Sequence, residues 1–312
     1  MAKMDIRAKV LGGMIGSAIG DAIGEIAFSY PQKDLLSGAI KQETTLRYTD
    51  DTAMAIGLAE SLIEQYGTID QEKLGETFRR NFQQEPWRGY GMGPPAVFSI
   101  VEELNIPYSE AARRLFGGQG SFGNGAAMRI APVGLFFFQD EALYDRVCAS
   151  SGVTHTHPVG MDGAAIQARA VALATALDPG EDFPGDVFLK GLMDFARTPE
   201  MRDKLTLLEK LIKESAAPDT AARKLGQTVA AHESVPFAVY SFVRNPKSFE
   251  ECLNCAVLNG GDRDTMGAMA CAISGAFLGI DGIPPSWIDK LENREYIEEL
   301  ASKLFETMKG IK

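Results

Sequence analysis

Two short stretches carry paired aspartates. Residues 48–55 read YTDDTAMA, which sets Thr49, Asp50, Asp51 and Thr52 side by side before an apolar helical run. Residues 260–265 read GGDRDT, where Asp262 and Asp264 flank Arg263 and Thr265 opens another apolar helix. A helix N-terminus stabilises one nearby anion, not four converging ones. If the clusters meet in space, a hard divalent cation such as Mg²⁺ or Mn²⁺ removes the repulsion, because it takes carboxylate and hydroxyl oxygens. Each cluster alone also reads as a solvated cap, since Asp and Thr are favoured there. Spacing leaves both readings open, because convergence is not written in the order of residues.

Other groups could do chemistry. GSFGNG, residues 120–125, offers backbone N–H groups free of side-chain obstruction. Such a loop accepts phosphate oxygens, or is an ordinary glycine turn. THTHP, residues 154–158, places His155 and His157 ahead of a long Ala-rich run. A His-x-His pair needs further ligands to hold a metal, and the chain has 3 histidines in all. Cys252 and Cys255 form a CxxC with no second pair, so they read as small residues on one helix face. Asp21 and Glu25 stand four apart and share a helix face.

The elements that must position these groups are helical. In residues 6–27, Gly12, Gly16, Gly20 and Gly24 recur every fourth residue. On a helix that spacing makes a flat ridge which another backbone can approach. Helical periodicity covers residues 52–66, with Thr49 or Asp50 as N-cap, and further helices are predicted at 70–83 and 108–116. Residues 86–98, PWRGYGMGPPAVF, read as loop and then helix start. The Ala-rich run after residue 158 is a helix. Residues 178–200, rich in Pro, Gly and Asp, read as a surface excursion. Helices are predicted at 201–214, 219–230, 234–245 and 249–258, and a buried one at 266–280. Period-2 alternation is scarce and no βαβ pattern occurs. The expected fold is all-α: a compact, single-domain, many-helix orthogonal bundle spanning residues 1–312.

Composition narrows the partners. The 312 residues are 45% hydrophobic, enough for a sizeable core. A formal charge of −11 argues against a broad basic surface for nucleic acid or membrane. The N-terminal residues show no secretory h-region, and the apolar run at 266–280 is short for a membrane span. Four cysteines in this length suggest a reducing, cytoplasmic setting. A monomer is the default for one compact domain.

Five segments together resemble the ADP-ribosylglycohydrolase family, the group that includes the dinitrogenase reductase-activating glycohydrolase. They are GSAIGDAIGE (16–25), YTDDTAMA (48–55), GSFGNGAAMRIAP (120–132), THTHPVGMDGAAIQA (154–168) and LNGGDRDTMGAMACAISGAFLG (258–279). SVPFAVYSFVRN (234–245) further resembles the type-three ADP-ribosyl-acceptor hydrolase branch. The resemblance implies an all-α fold with a binuclear Mg²⁺ or Mn²⁺ cleft. It implies Thr49, Asp50, Asp51, Asp262, Asp264 and Thr265 as metal ligands.

The implied activity is hydrolysis of the N- or O-glycosidic bond between ADP-ribose and an acceptor, either an ADP-ribosylated protein side chain or O-acetyl-ADP-ribose. Such a reaction passes through an oxocarbenium-like ribose, attacked by water while the leaving atom gains a proton. Metals can orient the ribose and activate water, and a carboxylate can carry the proton. By its place after GDAIG, Glu25 is the expected catalytic carboxylate, with Asp21 supporting the packing. Ser121, Phe122, Gly123, Asn124 and His155 are implied contacts to ADP-ribose, and Met128 and Arg129 are expected to orient their loop. Arg263 stands where the family often has Thr, and a salt bridge to an acidic neighbour is its expected use. The 86–95 loop is expected to face the acceptor. Two other functions fit the residues: a two-metal phosphohydrolase of an ADP-ribose-like nucleotide, and a non-catalytic ADP-ribose-binding relative.

Overall fold

Helix α1 (Ile6–Ser29) starts because the Asp5 carboxylate accepts from the Ala8 N–H. In the computed structural model, which describes residues 5–310, it is the first of eighteen α-helices, and no strand longer than an isolated bridge occurs among those residues. In chain order the others are α2 (Lys33–Gln42), α3 (Asp50–Glu64), α4 (Gln71–Gln84), α5 (Gly93–Leu104), α6 (Tyr108–Gly118), α7 (Gly125–Met128), α8 (Ala131–Phe136) and α9 (Leu143–Ser151). There follow α10 (Pro158–Ala176), α11 (Gly185–Met193), α12 (Pro199–Lys213), α13 (Pro218–Leu225), α14 (Ala231–Arg244), α15 (Phe249–Val257), α16 (Arg263–Leu278), α17 (Pro285–Ile288) and α18 (Arg294–Gly310). The all-α expectation holds.

The glycine ridge explains the centre of the molecule. α1 and α16 run antiparallel in backbone contact. A Cβ at Gly16 would sit 2.6 Å from the Cys271 carbonyl, and one at Gly24 would sit 2.5 Å from that of Arg263. One at Gly20 would enter the Gly267 carbonyl. Only glycine permits this approach, and it brings the last turns of α1 to the first turn of α16. Asp21 is thereby carried to Asp264.

Lys9 secures the far end of the same pair. Its fully buried ammonium donates to the carbonyls of Leu177 at 2.6 Å, Phe277 at 2.9 Å, Ala174 at 3.2 Å and Ala276 at 3.3 Å, closing the C-termini of α10 and α16 together. A cation there satisfies carbonyls that a helix end leaves without partners. α10 packs along α16, and both are buried on nearly every face. One hydrophobic core runs from Val10 to Met308. By length and composition α1 could cross a membrane, but 83% of its apolar window is buried in the bundle.

Several elements differ from expectation. Residues 178–200 contain α11, whose Phe188, Leu189 and Leu192 are buried; the Pro- and Gly-rich flanks hid an amphipathic pattern. The helix expected at 219–230 stops at Leu225, because Gly226 adopts φ +92°, a conformation that L side chains rarely accept. α6 breaks within its last turn, where Phe116 and Gly117 take φ 51° and 69°. α2, α9 and α18 were not anticipated. In α18 the buried Ile297, Leu300, Ala301, Leu304 and Met308 do follow helical spacing.

Candidate active site

The two aspartate clusters meet. α3 begins with Thr49 as N-cap, its hydroxyl accepting from the Asp51 N–H, so Asp50 and Asp51 occupy the first turn. Asp262 immediately precedes α16 without a side-chain capping bond, and Asp264 lies in that helix's first turn. The Thr265 hydroxyl reaches across and donates to the Asp51 carboxylate at 3.0 and 3.1 Å. One carboxylate oxygen from each of Asp21, Asp51 and Asp264 lies within 4.8 Å of the others.

Asp21 organises this centre. Its carboxylate accepts from the Thr49 N–H at 3.0 Å and hydroxyl at 2.8 Å, and from the Thr52 N–H at 3.1 Å and hydroxyl at 2.6 Å. That fixes the TDDT turn against α1. The supporting role expected of Asp21 is its observed one, although its carboxylate also belongs to the acidic centre. On the other side, Asn124 donates to Asp262 at 2.6 Å and to the Ser234 hydroxyl at 3.1 Å.

The two aspartate clusters and the glycine loop line a cavity of about 320 Å³. Asp50, Asp51, Asp262, Asp264 and Thr265 form one wall, and Ser121, Gly123, Asn124, Gly125, Met128 and His155 another. The mouth carries Gly89, Met92, Phe116 and Val229. Arg88 anchors the mouth loop, donating to the Tyr48 carbonyl at 3.1 Å and to Glu292 at 2.6 Å. Arg129 lies beneath the glycine loop and donates to the Gly125 carbonyl at 3.0 Å, the orienting role expected of it.

Not every expected residue is at the cavity. Glu25 is exposed one turn beyond Asp21 and does not line it. Thr49 is committed to Asp21 and the Asp51 N–H, half-buried behind the wall. The Phe122 ring is 49% exposed and stands edge-on to His157 at 5.7 Å, so it covers no part of the cavity. Arg263 makes no salt bridge among the described residues; its guanidinium donates to the Val257 carbonyl. The CxxC behaves as expected: Cys252 and Cys255 are buried free thiols.

Residues 226–231 went unrecognised as part of the site. The Asn124 N–H donates to the Val229 carbonyl at 2.8 Å, the Ala231 N–H to the Phe122 carbonyl at 3.1 Å and the Asp262 N–H to the Gln227 carbonyl at 2.9 Å. One extended segment thus joins the glycine loop to the second aspartate cluster. The signal was Gly226, misread inside a helix; Gly260 and Gly261 at φ 90° and 72° complete the turn that packs on Gln227.

The electrostatics follow from burial and like charge. Burial, with Asp21 and then Asp262 nearby, pushes the Asp50 carboxyl up to about 7. Burial, then Asp262 and Asp21, pushes Asp264 up to about 8. Asp51 is raised well above the carboxylate range by burial, then Asp264, Asp21, Asp50 and Asp262. Burial raises Asp21 to about 6 although the threonine donors oppose it. Oxygen donors this close, resisting ionisation for want of positive charge, fit a hard divalent cation.

The fold is thus an all-α bundle with an acidic, oxygen-rich cleft beside a glycine loop. The ADP-ribosylglycohydrolase family profile matches residues 2–311, and the chain belongs to that family. It is 34% identical over 288 residues to human ADP-ribosylhydrolase ARH3, covering 83% of this chain and 78% of that one. Its identity to the Xenopus tropicalis ADP-ribosylhydrolase ARH3 is 34% over 313 residues, covering 90% and 87%. A solved structure described as an ADP-ribosylglycohydrolase-related protein complex shares the fold, with TM-score 0.73 and 23% identity over 97% of this chain and 99% of that one. The chain is accordingly a glycohydrolase enzyme.

Proposed function

We propose that the chain hydrolyses the glycosidic bond between ADP-ribose and an acceptor, releasing ADP-ribose. The observation that carries this is the cavity itself: acidic groups at one wall, and at the other a glycine loop with His155 that suits a diphosphate. Asp50, Asp51, Asp262 and Asp264, with Thr265 and Thr49 beside them, would hold two Mg²⁺ or Mn²⁺ ions. Those ions would supply positive charge and orientation at the ribose hydroxyls.

The chain's own residues do the rest. Asp21 holds the first aspartate pair in place through four donors. Asn124 sets the orientation of Asp262 and so ties substrate loop to acidic wall. Ser121, Gly123 and His155 contact the ADP-ribose. Water attacks the anomeric carbon, the C–N or C–O bond to the acceptor breaks, and the acceptor atom leaves with a proton. Glu25, exposed one turn from Asp21, is the proposed proton carrier. An ADP-ribosylated protein or O-acetyl-ADP-ribose supplies the bond; the names of the human and Xenopus relatives support this substrate class.

The test is a product assay with Mg²⁺ or Mn²⁺ on arginine-linked and serine-linked ADP-ribosyl peptides and O-acetyl-ADP-ribose. Free ADP-ribose is expected from the wild type, with Glu25→Gln slowed about a hundredfold or more, the usual scale for losing a general acid–base. Release of AMP in place of ADP-ribose would overturn the bond assignment in favour of phosphohydrolysis. Full activity of Glu25→Gln would remove Glu25 from the mechanism.

A further inference from the structure

His155 is buried, 5% exposed, and its Cε1–Nε2 edge lies against the glycine loop: a Cβ at Gly125 would sit 2.9 Å from Cε1 and 3.1 Å from Nε2, and one at Gly123 would sit 3.7 Å from Nε2. The opposite nitrogen, Nδ1, is 2.8 Å from the Thr154 hydroxyl. That hydroxyl also receives the Arg129 Nη2–H at 2.8 Å. A guanidinium donates and never accepts, so the Thr154 oxygen is the acceptor in that pair. The threonine has one proton of its own, and Nδ1 is its only acceptor among the described residues. Nδ1 is then unprotonated, and the ring proton sits on Nε2.

We propose that Arg129 and Thr154 are positioning residues that fix His155 as its Nε2–H tautomer, so that the ring presents a hydrogen-bond donor to an acceptor oxygen of ADP-ribose at the Gly123–Gly125 loop. The ligand in this statement rests on the proposed function; the tautomer rests on the hydrogen-bond chain alone. The chain is rigid at each link. Arg129 is fully buried, lies over the Phe78 ring 4.8 Å from its centroid and also donates to the Gly125 carbonyl, so one side chain sets both the loop and the imidazole behind it. Thr154 is fully buried as well, and the His155 N–H is held by the Ser151 carbonyl at 2.8 Å. Burial and then the Arg129 charge push the imidazole down to about 3, so the ring is neutral and its single proton has to be placed by a partner. The Nδ1–H tautomer would turn a bare lone pair toward a ligand rich in oxygen acceptors, which repels it.

The test is two-bond ¹H–¹⁵N correlation on the full chain labelled with ¹⁵N-histidine. The 3 histidines are assigned with His157→Gln and His232→Gln. The free wild type is expected to show His155 neutral with the proton on Nε2. Thr154→Val keeps the shape and removes the hydroxyl; it should lose the single tautomer and weaken ADP-ribose binding about tenfold, the scale of one hydrogen bond. Thr154→Ser should retain both. A wild-type Nδ1–H signal, or an unchanged His155 spectrum in Thr154→Val, would overturn the lock. A wild type with the Nε2–H signal that fails to bind ADP-ribose would overturn the ligand assigned to that donor and leave the lock standing.

Discussion

Asp51 is the carboxylate of the acidic centre with the most negative company. It is 2% exposed, and Asp264, Asp21, Asp50 and Asp262 all act to raise its affinity for a proton. Neutralising it without changing its shape therefore relieves repulsion in the metal-free chain. Asp51→Asn is expected to raise the metal-free melting temperature while abolishing metal-dependent ADP-ribose release; calorimetry beside the product assay reads both. A lower melting temperature would mean that the carboxylate is held by favourable contacts, not by an absent cation. The same groups set a pH dependence. Asp50 and Asp264 move from 3.8 to about 7 and about 8 on folding, so protonation favours the fold. Their contribution is complete below the unfolded value and is lost as pH rises through the folded values. The metal-free chain should thus lose thermal stability between about pH 4 and pH 8, the window those shifts define. Urea melts at fixed pH in the presence of chelator would check this.

The crossing of α1 and α16 is the element on which the site depends. Gly20 meets Gly267 backbone to backbone, and Asp21 and Asp264 are carried on the two helices just beyond that contact. Gly20→Ala cannot be absorbed by a flexible side chain, because the obstructing atom is a carbonyl oxygen. A loss of about 2–3 kcal/mol in denaturant unfolding is expected, the scale of overpacking a close-fitted core. Activity should fall further than the folded fraction does, since spreading the helices separates the aspartates. The glycine period was visible in the sequence; α18 went unread although its buried residues follow helical spacing. The segment after Gly226 was not visible there: Val229 and Gln227 serve through backbone carbonyls, which any residue carries.

At the scale of the whole molecule, cation and fold are linked. A ligand that binds only the native state adds stability by mass action, about 2.7 kcal/mol at a hundred times its dissociation constant. Mg²⁺ or Mn²⁺ is expected to raise the melting temperature, and more so at pH 8 than at pH 6, because protons compete for the same oxygens. Asp264→Asn should respond far less. An equal response in wild type and variant would place the cation elsewhere.

The sequence alone determined which residues could do chemistry and that helices would carry them. Paired aspartates beside threonines, a glycine every fourth residue and GSFGNG are local signals, and local signals survive in one dimension. Only the tertiary structure decided which of those residues share a space. It set Asp21 at the centre of the acidic group, turned Phe122 outward against His157, left Glu25 exposed outside the cavity lining and brought Met92, Phe116 and Val229 to the mouth. The reason is physical: a helix fixes the face a side chain occupies, but the neighbour that face meets is set by how closely distant backbones can approach.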